Sequence, residues 1–112
     1  MQQGIAIPDN ELTILSAENA QIIARFFQVL SDPTRVRLVK ALADGKWCVS
    51  DLVDALEMDQ PAVSHQLKYL RKLGMVTWER TGRHIYYTLD DTLLRATLLT
   101  ILDNMPNSVT RT

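Results

Sequence analysis

The tightest constraint on this chain lies in residues 60–84, QPAVSHQLKYLRKLGMVTWERTGRH, where one helical period separates a packing face from a basic face and a two-stranded pattern follows at once. At about 100° per residue, Val63, Leu67, Leu70 and Gly74 fall on one side. Ser64, His65, Lys68, Arg71 and Lys72 gather in an arc of roughly 120° opposite. The first side suits a core and the second suits a nucleic-acid groove. Pro61 fits the first turn of this helix, where its missing N–H leaves nothing unsatisfied. Gly74 fits the C-terminal cap. Beyond it the period drops to two through Val76, Trp78 and Arg80, with Thr81-Gly82 as the turn and His84 to Leu89 as the return strand. The result is a β-hairpin with a basic tip.

Upstream, Ile22, Ile23, Phe26, Phe27 and Leu30 recur at helical spacing, which predicts a first helix from about Thr13 or Ser16 to Leu30. Asp32-Pro33 restarts the chain as N-cap and first helical residue, and Val36, Val39 and Leu42 give the second helix its apolar face until Asp44-Gly45. Ser50 is the expected N-cap of a short third helix over 51–57, packed through Leu52, Val53 and Leu56. The connection Glu57-Met58-Asp59-Gln60 joins it to the basic helix, and two short helices so joined form a helix-turn-helix. Asp90 and Asp91 offer caps for a last helix, on which Leu94, Leu98, Ile101 and Met105 fall on one stripe. The expected organisation is an N-terminal arm over 1–12, one domain over 13–106 and a tail over 107–112. The fold class is mainly α with a small β-hairpin, a winged helix-turn-helix.

A net charge of −1 from 12 Lys and Arg against 13 Asp and Glu looks unpromising for a polyanion partner, but the charges are segregated. Residues 60–84 carry Lys68, Arg71, Lys72, Arg80 and Arg83 against Glu79 alone, while everything before Gln60 is net acidic. Phosphates respond to a local patch within a Debye length of about 8–10 Å, so the segregation matters more than the total. A chain of 112 residues with 46% hydrophobic content supports one core with little surplus. The apolar runs are shorter than the ~20 residues of a membrane span. With a start that lacks signal-peptide features and a lone Cys48, the chain reads as cytoplasmic.

The run KWCVSDLVDALEMDQPAVSHQLKYLRKLGMVTWERTGRHIYYTLDD resembles the winged helix-turn-helix core of the ArsR/SmtB family of bacterial transcriptional repressors, and SDPTRVRLVKAL resembles the family's second helix. The similarity covers roughly residues 20–105. It implies a homodimer joined through the first and last helices, bound to double-stranded DNA at an inverted-repeat operator and released by an inducer.

Within that frame Gln60, Ser64, His65 and Lys68 occupy the N-terminal half of the basic helix, the part that reaches base edges. Gln60 suits adenine, and Ser64 or His65 can donate to a base or a phosphate. Lys68, Arg71 and Lys72 suit phosphates, which contribute affinity and salt dependence but little sequence information. Arg83, beside Gly82 at the wing tip, suits a narrow minor groove, with Arg80 and His84 as weaker candidates. Trp78, Tyr86 and Tyr87 are expected on the packed side of the hairpin. The stripe Leu94, Leu98, Ile101 and Met105 is the expected dimer contact of the last helix.

The position of Cys48 matches a metal ligand of the resembling family, yet the ligand set is incomplete. Soft metals want several soft ligands. Position 50 is serine, and the arm through Leu12 has neither Cys nor His. Asp51 matches a ligand of some relatives. Cys48 is therefore open to three roles: a structural cysteine, a redox or thiol-reactive sensor, or a metal ligand. At the family's other site Asp91 matches one ligand, but Leu93, Asn104 and Asn107 stand where further His and acid ligands are expected. A metal cofactor remains possible without a complete set of ligands to support it.

Two other functional classes compete. A winged helix that docks proteins is the alternative reading, and it would not need the cationic patch or a steep salt dependence. An enzyme is disfavoured because Ser64 and His65 diverge by about 100° on their helix, which is not the geometry of a nucleophile and its base.

Overall fold

A computed structural model describes residues 14–106; the expected arm over 1–12 and tail over 107–112 lie outside the described residues. The elements run α1 (Ala17–Val29), α2 (Pro33–Asp44), α3 (Val49–Leu56), α4 (Gln60–Lys72), β1 (Val76–Thr81), β2 (His84–Leu89) and α5 (Thr92–Asp103). Mainly helical structure with one antiparallel hairpin is the architecture that the change of period implies.

Side-chain caps set most of the helix starts by satisfying amide N–H groups that have no partner within the helix. Ser16 Oγ accepts from Asn19 N at 3.1 Å, Asp32 Oδ2 from Arg35 N at 2.9 Å, Asp59 Oδ1 from Ala62 N at 2.8 Å and Asp91 Oδ1 from Leu94 N at 2.9 Å. The third helix departs from expectation. It begins at Val49 with Cys48 as its N-cap residue: Cys48 O accepts the first helical bond from Leu52 N at 3.1 Å, and the thiol, a weak acceptor, makes no side-chain cap. Ser50 therefore sits inside the first turn.

Two positive-φ glycines place the hairpin. Gly74, at φ +75°, ends α4 with Met75 N donating to Leu70 O and Gly74 N to Arg71 O. That is the Schellman arrangement, and the buried pair Leu70 and Met75 supplies its hydrophobic contact. Gly82, at φ +65°, is the first of two loop residues, since Thr81 pairs with His84. The turn is thus Gly82-Arg83, one residue later than Thr81-Gly82, because the first loop position of a tight hairpin demands positive φ. β2 also bridges Trp47 through Trp47 N to Tyr87 O at 3.0 Å and Tyr87 N to Trp47 O at 2.8 Å.

The core joins Leu38, Val39 and Leu42 of α2, Leu52 and Leu56 of α3, and Val63, Leu67 and Leu70 of α4 to Val76, Leu89, Leu94 and Leu98. The stripe on α5 places Leu94 and Leu98 against a partner, but they are 0% and 3% exposed inside the chain's own core. An i, i+4 pair of leucines reads the same whichever surface it packs on. Here α5 closes the end of the domain, with Arg95 donating to Ala43 O and Leu89 O. Ile101 stays exposed at 44% and Met105 is half-buried, while Leu93 is also exposed. The exposed apolar side chains of α5 are therefore Leu93, Leu99 and Ile101.

Helix α1 stands apart. Of its residues only Val29 is buried, and Phe26 is half-buried. Ile22, Ile23 and Phe27 are exposed, and together with Leu73, Met75 and Leu93 they line a mainly apolar groove of about 540 Å³ between α1, the end of α4 and the start of α5, to which Arg25, Lys72 and Asp91 add charged edges. No helix among the described residues is long and apolar enough to cross a membrane.

Candidate nucleic-acid interface

The basic helix is held from behind by burial of Val63, Leu67 and Leu70, which turns Gln60, His65, Lys68, Arg71 and Lys72 to solvent and leaves Ser64 half-buried. Its entry angle is set by the turn after α3. Glu57 adopts the left-handed region at φ 56°, and Met58 N donates to Val53 O at 3.2 Å, so the chain reverses before Asp59 caps α4. Gln60 is the first helical residue. Its amide Nε2 donates to Ser64 Oγ at 3.0 Å, aligning two candidate base-reading groups one turn apart. The amide oxygen of Gln60 stays free to accept, and the amide nitrogen has a second hydrogen to donate.

Lys68 and Lys72 lie one turn apart beside His65 and Tyr69 around an open depression. Arg71 is placed differently. Its guanidinium carbon lies 4.8 Å from the Trp78 ring centroid, which ties the last turn of α4 to the first wing strand. Trp78, expected on the packed side of the hairpin, is 42% exposed. The stacked arginine covers its ring in place of core side chains, an arrangement that keeps the cation outward and oriented. Tyr86 and Tyr87 are half-buried, and Tyr87 packs against the core.

The wing carries Arg80, Arg83 and His84 exposed, with Arg83 in the loop itself. Glu79, the one acid within 60–84, is paired by Lys46 at 3.0 Å. Both partners are 59% exposed, so the pair adds little stability. It does offset the one negative charge within 60–84.

Among the described residues of this one chain, Cys48, Asp51 and Asp91 do not come together. Cys48 is buried, with Sγ 3.3 Å from Ser50 Oγ, while Asp51 is exposed on the first turn of α3 and Asp91 is committed to capping α5. Among the described residues no three His, Cys, Asp or Glu side chains come together to hold an ion. One thiol beside a hydroxyl does not fit a thiophilic metal.

Two structurally central residues escape a reading of the sequence. Arg35, which the sequence shows only as part of a helix start, reaches Gln66 of α4, and no spacing rule assigns Gln66 a role. Their separation of 31 residues leaves no periodic trace.

Residues 32–77 match the family model described as bacterial regulatory protein, arsR family. The transcriptional repressor SmtB homolog of Synechocystis sp. is 40% identical over 95 residues, covering 85% of this chain and 72% of that protein. The HTH-type transcriptional regulator NmtR of Mycobacterium tuberculosis is 44% identical over 78 residues, 70% of this chain and 65% of that protein. Among solved structures, the AntR antimony-specific transcriptional repressor superposes with a TM-score of 0.77 at 31% identity, covering 94% of this chain and 96% of that one. Apo-NmtR in solution gives 0.69 at 32% identity, with 96% and 99% covered. The resemblance read from the motifs and the architecture coincide with these matches: the chain belongs to the arsR family of bacterial regulatory proteins.

Proposed function

We propose that this protein is a homodimeric transcriptional repressor that places one α4 in each of two major grooves of an inverted-repeat operator and leaves it when an inducer binds. The observation that carries the DNA reading is the α4 surface: Gln60 and His65 exposed at the N-terminal half and Lys68, Arg71 and Lys72 beyond them, on a helix locked from behind by Val63, Leu67 and Leu70. In this reading Gln60, Ser64 and His65 meet base edges, and Lys68, Arg71 and Lys72 meet phosphates. Arg83 reaches the flanking minor groove.

The dimer is supported by the exposed apolar face of α1, Ile22, Ile23 and Phe27, continuous through the groove with Leu93 of α5. A contiguous apolar surface of this kind marks an interaction site. A second copy suits it because a twofold interface is self-complementary and brings two basic helices to one side of the assembly. Two such helices related by a dyad require half-sites centred about 34–36 Å apart, or a multiple.

The test is a fluorescence-anisotropy titration of a selected operator, repeated with Zn, Ni, Cd, Cu(I), As(III) and a mild oxidant. A tenfold loss of affinity with one of them, about 1.4 kcal/mol, identifies the inducer class. Selection of a single asymmetric site would contradict the dimeric reading.

A further inference from the structure

Arg35 joins three helices through one side chain. Its Nε donates to Val29 O at 2.8 Å and its Nη2 to Gln28 O at 2.9 Å, both at the end of α1. Its Nη1 donates to Gln66 Oε1 on α4 at 3.3 Å. The flat face of the guanidinium lies 4.5 Å from the Tyr69 ring centroid, also on α4. Asp32, which caps α2, stands 4.0 Å away and the Arg35 side chain is only 13% exposed. Arginine suits this place because its donors are fixed in a plane, so the carbonyls on one edge and the amide on another cannot shift independently.

What it joins matters more than how many bonds it makes. α1 carries the exposed apolar face, yet only its last turn is anchored to the body of the domain, by Val29, half-buried Phe26 and Leu30, and the two hydrogen bonds from Arg35. α4 turns Gln60 and Ser64 well away from Gln66, while Tyr69 follows His65 by one turn and stands beside Lys68 and Lys72. We propose that Arg35 is a positioning residue for DNA recognition, a rigid strut that fixes the angle between the α1 dimer face and α4 and thereby sets the operator spacing the protein accepts. The proposal rests on the dimeric reading above. It assigns Gln66 and Tyr69 as the receiving end of the strut and gives neither a role in touching DNA.

The consequence is specific to spacing. Inserting two base pairs between half-sites turns one about 70° and moves it about 7 Å relative to the other, given 10–10.5 base pairs per turn of roughly 34–36 Å. A dimer with a fixed α1–α4 angle cannot follow. Loosening the strut lets each α4 follow its own half-site, so discrimination falls while each half-site is still read.

The experiment measures affinity for the selected operator, for the same operator with two base pairs inserted, and for random duplex, under conditions where far-UV circular dichroism shows every variant folded. Wild type should bind the lengthened operator at least tenfold more weakly than the native one. Arg35→Lys, which keeps the charge and loses the planar fork, should bring that ratio below threefold, with binding to random duplex and its salt slope unchanged. The double variant Gln66→Ala, Tyr69→Leu cuts only the α4 end and leaves the bonds to α1 in place. It should do the same, which keeps the test informative if Arg35→Lys folds poorly. A merely structural role would weaken all three duplexes alike, and retention of the tenfold ratio in the double variant would overturn the proposal. Failure of the wild type to distinguish the spacings, or a monomeric mass in sedimentation, would instead remove the dimeric reading and the strut with it.

Discussion

Phe27 offers a sharp quantitative handle on assembly. It lies 53% exposed on α1 beside Ile23 and at the apolar groove, and its ring meets Phe26 edge-on at 5.6 Å between centroids. A phenylalanine presents on the order of 200 Å², so about 100 Å² of Phe27 awaits burial, worth about 2.5 kcal/mol at ~25 cal/mol per Å². A twofold interface uses the residue twice, which sets a ceiling of about 5 kcal/mol. Incomplete burial brings the expected cost of Phe27→Ala to about 2–4 kcal/mol, or roughly 30- to 700-fold in the dimer dissociation constant. Sedimentation equilibrium across nanomolar to high micromolar concentrations reads this directly, as a shift between 12.7 kDa and twice that mass. Leu99→Ala is the matched control, because Leu99 is also exposed on α5. Two helical steps carry it to nearly the opposite side of the helix from Ile101. An unchanged dimer constant for Phe27→Ala, or an equal loss for Leu99→Ala, would refute the placement of the seam.

Three further outcomes follow from local geometry. Glu57 holds a left-handed backbone at φ 56°, which glycine adopts without a Cβ penalty. Glu57→Gly should therefore raise stability by about 0.5–1 kcal/mol and thermal melting by a few degrees, with operator affinity unchanged. Asp91→Ala should cost about 1 kcal/mol in chemical denaturation through loss of the cap on Leu94 N, and leave any metal response as it was. Cys48→Ser puts a hydroxyl at the uncapped N-cap of α3, where it can accept from a first-turn amide and stay within reach of Ser50 Oγ, so stability should change by no more than about 1 kcal/mol, while operator affinity and metal response of the folded protein stay nearly constant. Loss of a thiolate-to-metal absorption band in this variant would show a site built around Cys48.

The legible parts of this protein are the ones whose physics is local. Asp32-Pro33, Gly74 and the switch from period 3.6 to period 2 each impose a backbone conformation on their own neighbours, so the helix order and the wing can be read directly. The buried face of α4 follows from its spacing, and its opposite face follows by exclusion. Errors arise where one local pattern serves two packings. Leu94 and Leu98 form the same stripe whether they meet a partner or the chain's own core, and tertiary competition decides for the core. Trp78 has the strand position of a packed aromatic, but a cation from the preceding helix covers it. Arg35 is the largest omission, since its partners lie on two helices and no spacing rule links them.

The claim that α4 reads DNA sequence rests on a division of labour between its two ends, and one titration tests that division. Anisotropy of wild type, Gln60→Ala and Lys68→Ala on the selected operator and on random duplex, each over a series of salt concentrations, separates base contacts from phosphate contacts. Lys68→Ala should weaken both duplexes alike and lower the salt slope by about one unit. Gln60→Ala, which also frees Ser64 from its 3.0 Å hydrogen bond, should cost about 1–3 kcal/mol on the operator and little on random DNA, with no change in slope. Equal proportional losses for both variants on both duplexes would contradict the account and reduce α4 to a nonspecific cationic surface.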